Sequence, residues 1–361
     1  MKRTMPVLIA ILLAGALFFF AGPATQAEAA DCYPTEAGVY VCDGRQRQPT
    51  FTTSGYAYGS VYFNTTYAWL ADNAPLYSSP GGEVAEEGTV GILYYTIEEF
   101  ADGWYRVGRD LWAEASDMYI YEESRSAGVE VNEQPERPFG WVLTPVQPVS
   151  APDAVPAEAD PWLRRYDLIQ VYDVSEGEDG WTWFDVGNDR WIKQTFLAMV
   201  DVSPRPEGVG PTDFWVEVDL YEQIFAAYEG DRMVYAGLTS TGLPRFETNE
   251  GLFTIYARNK EWLMYGGDVG DDYYYLQDVP YTMFFDDEIA LHGAYWHDAF
   301  GAVRSHGCVN MLPRDAEWVW YWSENAPGDV WVWVHSSEQD TLLERYGDSL
   351  ARYQNAIASQ R

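Results

Sequence analysis

Three of the four histidines and an isolated cysteine are concentrated between His292 and Cys308. A thiol is a good nucleophile once it is deprotonated, and a nearby imidazole can take its proton and later pass it to a leaving amine. Gly307 directly precedes Cys308 and permits a tight turn, in which the amides of both residues can point at a developing oxyanion. This stretch therefore indicates nucleophilic catalysis by Cys308.

Two other interpretations apply to the same side chains. An isolated cysteine or histidine is often an ordinary core residue, and His292, His297, His306 and Cys308 are also potential zinc ligands. However, the five-residue spacing of His292 and His297 is not that of a metal-binding pair on one helical turn, and the chain contains neither CxxC nor HExxH. We therefore expect no metal site.

We expect β-strands to position Cys308 and the nearby histidines. Residues 214–220 alternate between apolar and polar side chains, residues 223–236 read as a hairpin, and residues 330–334 read as a closing strand. One short helix is expected to begin at Pro313, because proline suits a first helical turn and Asp315 follows where the helix dipole favours an acid.

The N-terminal thirty residues read as a targeting signal. Lys2 and Arg3 precede an apolar run over residues 5–22, and Ala29 closes a small-residue motif typical of signal peptidase sites. We expect a signal peptide over residues 1–29 that is cleaved near Ala29, with an uncleaved membrane anchor as the alternative. The protein would then be secreted to the cell wall or cell envelope.

Export changes the interpretation of the three cysteines. Oxidising compartments favour pairing, and Cys32 and Cys42 lie close enough in sequence to close a small loop within the N-terminal segment 30–60. The sequence therefore predicts a Cys32–Cys42 disulfide and a free thiol at Cys308.

The charge balance excludes one class of partner. The chain has 22 Lys and Arg residues against 56 Asp and Glu residues, a formal net charge of -34. Such a field repels phosphate backbones, and no basic patch opposes it, so we expect no nucleic-acid partner.

Between residues 40 and 211 the sequence reads as all-β and contains an internal repeat. Residues 103–112 recur as residues 180–191, each with an acidic loop, a strand, a Val-Gly turn and a second strand that includes a tryptophan. The repeat resembles small bacterial SH3-like barrels, which implies one barrel over 61–130 and another over 138–202. Their aromatic residues would either bind cell-wall polymer or form the barrel cores.

A Pro- and Gly-rich segment at 203–211 reads as a linker to a further domain over 212–336. Residues 337–361 form a tail with apolar residues at helical spacing, which leaves open whether it packs against the protein.

The motif Ser305-His306-Gly307-Cys308-Val309-Asn310, with His292 sixteen residues before the cysteine, resembles the signature of L,D-transpeptidases with the YkuD-type catalytic domain. The likeness extends over residues 214–335. Residues 244–250 depart from it, because family members more often have a Thr-Pro-x-Gly turn there.

The resemblance implies a β-sandwich-like catalytic domain with one short helix after the cysteine, in a mainly β protein, and no cofactor. It implies that Cys308 is the nucleophile and that His292 is the general acid/base, oriented by the carbonyl of Gly293. Gly307 would contribute to the oxyanion hole and His306 would shape the site. The substrate-binding residues would be Ser305, Asn310, Arg304, Tyr295 and Trp296.

The implied reaction joins peptidoglycan stem peptides. Cys308 would attack the carbonyl before a terminal D-alanine, and a side-chain amine of another stem would take the acyl group and form a 3→3 cross-link. Two alternatives are a non-catalytic wall-binding protein and an L,D-carboxypeptidase that hydrolyses the same acyl-enzyme.

Overall fold

The computed structural model describes residues 65–337, apart from 123, 125 and 157–160, together with 33–34, 40–41, 51–53, 345–348 and 350–351. The predicted signal peptide and the predicted Cys32–Cys42 disulfide lie outside these residues. Within the described residues, no helix has the length and apolar character needed to span a bilayer. The described strands are β1 Tyr33–Pro34, β2 Tyr40–Val41, β3 Phe51–Thr53, β4 Tyr67–Leu70, β5 Leu76–Tyr77, β6 Val84–Glu86, β7 Ile92–Thr96, β8 Glu99–Ala101, β9 Trp104–Gly108, β10 Leu111–Glu114, β11 Met118–Ile120, β12 Val129–Val131, β13 Phe139–Val142, β14 Leu168–Gln170, β15 Asp173–Glu176, β16 Thr182–Asp185, β17 Trp191–Lys193, β18 Leu197–Val200, β19 Phe214–Asp219, β20 Ile224–Glu229, β21 Arg232–Ser240, β22 Gly251–Thr254, β23 Ala257–Gly266, β24 Tyr274–Asp286, β25 Ile289–Gly293, β26 Val309–Met311 and β27 Val330–His335.

The prediction of a mainly β protein is confirmed. In the part of the chain that the structure describes, helical structure is confined to α1 over Pro313–Ser323, 3-10 turns at Ala115–Asp117 and Gln194–Phe196, and residues 345–348 and 350–351. Helix α1 begins at Pro313, as predicted, and the carboxylate of Asp315 in its first turn is fully buried.

Both copies of the internal repeat form hairpins, β9–β10 and β16–β17. In the second copy Gly187 has a φ of +100°, a backbone conformation that favours glycine. In the first copy the positive φ falls instead on Asp110, at +56°, so the equivalent Gly108 is not what permits that turn. SH3-like barrels over 61–130 and 138–202 remain a prediction.

The C-terminal region is built on two sheets that share the long strand β21. Residues of β21 up to Leu238 pair with β20, and Thr239 and Ser240 pair with β26. One sheet continues through β20, β19, β27 and β22, and the other through β26, β25 and β24 to the hairpin strand β23. Apolar side chains from both sheets and from α1 form one core.

The N-terminal units share cores with this region. Phe139 and Trp141 of β13 lie in the same buried cluster as Trp215 of β19 and Leu238 of β21. Strand β7 of the first unit pairs in parallel with β24. The segments 61–130, 138–202 and 212–336 therefore pack against one another, although the first two also contain buried clusters of their own.

The predicted linker 203–211 is packed against the protein. Ser203 and Val209 are buried, and the Ser203 hydroxyl donates to Glu217 at 2.5 Å. The Pro and Gly content predicted a spacer, but Val209 adds an apolar side chain to the shared core. In the tail, Tyr346 and Leu350 are buried in the core of the second unit, so the described tail residues pack against the protein.

Candidate active site

Two parallel strands bring the predicted nucleophile and base together. Strands β25 and β26 pair with Leu291 opposite Val309 and His292 opposite Asn310. Because side chains alternate along a strand, Cys308, which directly precedes β26, lies on the same face as Asn310 and diagonally next to His292.

An open cavity of about 160 Å³ lies over this face. The predicted site residues that line it are His292, Trp296, Arg304, Ser305, His306, Cys308 and Asn310. Among the described residues, no group of three or more His, Cys, Asp or Glu side chains is arranged to hold a metal ion.

The surroundings of the Cys308 thiol favour its protonated form. Its Sγ donates to the carbonyl oxygen of Glu288 at 3.7 Å. Desolvation raises the pKa of Cys308 to about 11, the Glu288 carboxylate acts in the same direction, and the backbone of Ala290 opposes both. Cys308 therefore needs a base to become a nucleophile at neutral pH.

His292 is buried and neutral. Burial lowers its pKa to about 4, against a smaller opposing effect of the Gly293 carbonyl. Nδ1 lies 3.3 Å from that carbonyl oxygen and can donate to it, which leaves Nε2 unprotonated as the base. Trp296 stacks on the imidazole, with ring centroids 5.6 Å apart.

These two pKa values predict how Cys308 reacts with a small alkylating reagent. We expect slow alkylation by iodoacetamide at pH 7 and a rate that rises about tenfold per pH unit between pH 7 and 9.5, because only the thiolate reacts. Intact-mass spectrometry of wild-type and Cys308→Ala protein measures the rate and its background. A fast rate that is independent of pH would instead indicate a preformed thiolate–imidazolium pair.

The turn before Cys308 is held by hydroxyl groups. Gly307 has a φ of +116°, which favours glycine, and Thr248 Oγ1 donates to the Gly307 carbonyl at 2.7 Å. In a planar trans peptide the N–H opposes the C=O, so the Cys308 amide points away from Thr248. The Gly307 amide donates to Ser305 Oγ at 3.1 Å and is thus used within the turn, which leaves Cys308 N–H as the better oxyanion donor.

His306 forms part of the cavity wall. Its ring lies between those of Phe246 and Tyr274, with centroid distances of 4.3 and 4.9 Å. Its Nε2 is 3.4 Å from the Asp272 carboxylate, which Arg245 also contacts at 3.2 Å. The backbone N–H of Asp268 and then Arg245 hold the pKa of Asp272 below its usual range. These contacts fit a residue that shapes the site.

Asn310 is oriented by His297. The Ala299 amide donates to His297 Nδ1 at 3.2 Å, so the proton of this neutral imidazole lies on Nε2. Nε2 lies 3.0 Å from Nδ2 of the Asn310 side-chain amide. Because the two ends of an amide are assigned from the hydrogen-bond network, exchanging them lets the Asn310 oxygen accept from Nε2–H. Burial lowers the pKa of His297 to about 3, which keeps this arrangement neutral.

Tyr295 does not line the cavity. Its side chain is 1% exposed, its hydroxyl donates to the Gln277 carbonyl at 2.7 Å, and its ring stacks on Tyr67. The predicted substrate contact is therefore corrected to a core residue, because its ring packs against Tyr67 and its hydroxyl bonds to Gln277 in the interior.

Several lining residues were not among the predicted ones. Met264, Tyr274 and Leu276 come from the β23–β24 hairpin, Glu288 from its connection to β25, Ile289 from the start of β25, and Ile92 from β7. No local motif marks these residues, because sheet pairing alone brings them to the cavity. Thr248 lies in the loop 244–250 that departs from the family pattern.

Residues 213–339 match the family model YkuD, the L,D-transpeptidase catalytic domain. The chain is 28% identical over 154 residues to "Putative L,D-transpeptidase YciB" of Bacillus subtilis strain 168, covering 38% of this chain and 75% of that protein.

Solved structures with similarity include an L,D-transpeptidase from Xylanimonas cellulosilytica, 25% identical, with 36% of this chain and 64% of that chain covered and a TM-score of 0.28. An L,D-transpeptidase from Mycobacterium smegmatis is 18% identical, with 58% of this chain and 90% of that chain covered and a TM-score of 0.32. The chain thus spans slightly less than two thirds of the Xylanimonas protein. Together, the family model and the Bacillus relative support a YkuD-type L,D-transpeptidase catalytic domain over residues 213–339.

Proposed function

We propose that the protein is an exported peptidoglycan L,D-transpeptidase that forms 3→3 cross-links and releases D-alanine. The observation that carries this proposal is the placement of Cys308 and His292 on one face of β25 and β26, with His292 Nδ1 facing the Gly293 carbonyl. Export after cleavage near Ala29 and wall binding through the N-terminal repeats belong to the same proposal.

Acylation begins with proton transfer. His292 Nε2 removes the Sγ proton as sulfur attacks the carbonyl carbon between the third stem residue and D-alanine, and the C=O electrons move onto oxygen. The Cys308 amide donates to this oxyanion. When the intermediate collapses, the C–N bond breaks and the D-alanine amine takes the proton from His292.

Deacylation reverses these roles. The side-chain amine of a second stem attacks the thioester, His292 accepts its proton, and the C–S bond breaks as that proton returns to sulfur. The new amide is the cross-link. If water attacks instead, the product is a tripeptide stem, as in an L,D-carboxypeptidase.

The cavity is lined by one cation, Arg304, and one anion, Glu288, which suit a peptide that carries both a carboxylate and an amine. Arg304 lines the cavity and is exposed, and a guanidinium is suited to bind a substrate carboxylate. The chain's net charge of -34 would otherwise repel such a stem. Glu288 lines the same cavity, and its carboxylate can pair with an amine of the substrate.

Mass spectrometry of muropeptides tests the proposal directly. Protein incubated with purified tetrapeptide stems is expected to give dimers that have lost one D-alanine, with the cross-link between two third residues. Tripeptide monomers alone would indicate hydrolysis. Stems that stay chemically unchanged but are retained by the protein would indicate a wall-binding protein without catalysis.

A further inference from the structure

We propose that Ile92, from the first N-terminal unit, is a specificity-determining residue that forms part of the apolar wall for the aliphatic portion of the stem peptide. The inference rests on the proposed function and deepens it. It gives the N-terminal region a role within the substrate site as well as any role in wall binding.

The position of Ile92 is set by sheet pairing. Strand β7 runs parallel to β24 with Ile92 opposite Tyr274 and Tyr94 opposite Leu276. The Ile92 amide donates to the Tyr273 carbonyl at 2.9 Å. At the other end of β7, the Thr96 hydroxyl donates to Asp278 at 2.6 Å. The strand is therefore anchored to the catalytic region at both ends.

The alternation of these strands directs Ile92 to the cavity. Tyr274 and Leu276 lie on one face of β24, Met264 is opposite Leu276 on β23, and all three line the cavity together with Ile92. Leu93, the next residue of β7, is 2% exposed and packs in the core of the first unit on the other face. Strands β7, β24 and β23 thus form one continuous wall.

The exposed fraction of Ile92 and the apolar character of its neighbours indicate which part of a ligand this wall binds. Ile92 is 45% exposed although it lies beside buried strands. Together with the partly buried Met264 it presents aliphatic surface, with Leu276, 4% exposed, beneath them, whereas Arg304 and Glu288 supply charge elsewhere in the cavity. Binding sites commonly combine an apolar wall with a few polar groups, so the aliphatic side of a stem peptide suits this wall.

Strand β7 also contacts Trp296, the residue that packs on the proposed general base His292. The Tyr94 hydroxyl donates to the Trp296 carbonyl at 3.3 Å, and Trp296 stacks on His292. Strand β7 therefore contributes Ile92 to the apolar wall and, through Tyr94, holds the residue that packs on the base.

The test compares Ile92→Trp with the conservative Ile92→Val and with the matched control Val84→Trp in the full chain. Val84 is 46% exposed in β6 of the same unit and does not line the cavity. Kinetics with tetrapeptide stems should show KM raised about tenfold or more by Ile92→Trp, because the indole fills space that the peptide needs. The Val84→Trp protein should stay within about twofold of wild type, whereas Ile92→Val, which removes one methylene from the wall, should raise KM by a smaller factor than Ile92→Trp.

The outcomes separate this inference from the proposed function. Circular dichroism and thermal melting should match wild type for all three variants. Active wild-type protein with an unchanged KM in Ile92→Trp, or an equal defect in Val84→Trp, would overturn the specificity role alone. Absence of any product from wild-type protein would overturn the proposed function, and the role of Ile92 with it.

Discussion

The Cys308→Ala protein is expected to form no covalent adduct and no cross-linked product, a loss of roughly 10⁴-fold or more in rate. Alanine removes the only atom that can form the thioester, and no other thiol lines the cavity among the described residues. Incubation with a β-lactam of the carbapenem type tests this, because a thiolate should open the strained ring. Intact-mass and peptide-mapping spectrometry should locate the adduct on Cys308 in wild-type protein.

The thermal stability of the Cys308→Ala protein is the control, because it shows that lost activity does not come from lost folding. Cys308 is only partly exposed, but alanine is smaller and introduces no unpaired polar group, so the thermal midpoint should change little. An adduct on another residue, unmodified wild-type protein after long exposure, or turnover by Cys308→Ala would each contradict the assignment of the nucleophile.

Replacing His292 with alanine is expected to slow acylation by about 10²–10⁴-fold at pH 7. The pKa of the Cys308 thiol is raised to about 11, so without a base nearly all of it stays protonated at neutral pH. The defect should shrink as pH rises towards 11, because hydroxide then deprotonates the thiol. Rates measured at pH 7 and 9.5 for wild-type, His292→Ala and His292→Gln proteins check both expectations.

His335 offers a matched control for loss of a histidine. It contacts Glu217 at 2.9 Å and does not line the cavity, so His335→Gln should keep its acylation rate within about twofold. His306→Ala should be intermediate, since His306 contacts the cavity but packs between aromatic rings. A His306→Ala protein slower than His292→Ala would mean that the roles of the two histidines are exchanged.

Local sequence was sufficient to predict two elements of the C-terminal region. The alternation over residues 214–220 predicted β19, and Pro313 with its following acids predicted the start of α1. Both predictions rest on local signals, a pattern of residues typical of a strand and the fixed φ of proline, although the structure buries both faces of β19. The motif around Cys308 likewise indicated a nucleophile after a glycine turn.

The walls of the site depended on tertiary structure. Ile92 and Tyr274 are far apart in sequence and meet only because β7 adds to the edge of the sheet at β24. Tyr295 is adjacent in sequence to Trp296, yet it is buried against Tyr67 of the first unit while its neighbour lines the cavity. The pattern of 203–211 also predicted a spacer, although Val209 is buried in a core that three segments share.

The physical reason is the same in each case. A residue type reports its preference for burial or for a turn, but not which distant strand will pair with it. The sequence by itself therefore determined a mainly β protein and predicted a nucleophilic Cys308 with His292 as its base. The tertiary structure decided that the N-terminal region completes the cavity, because backbone hydrogen bonds between strands fix which side chains share a face.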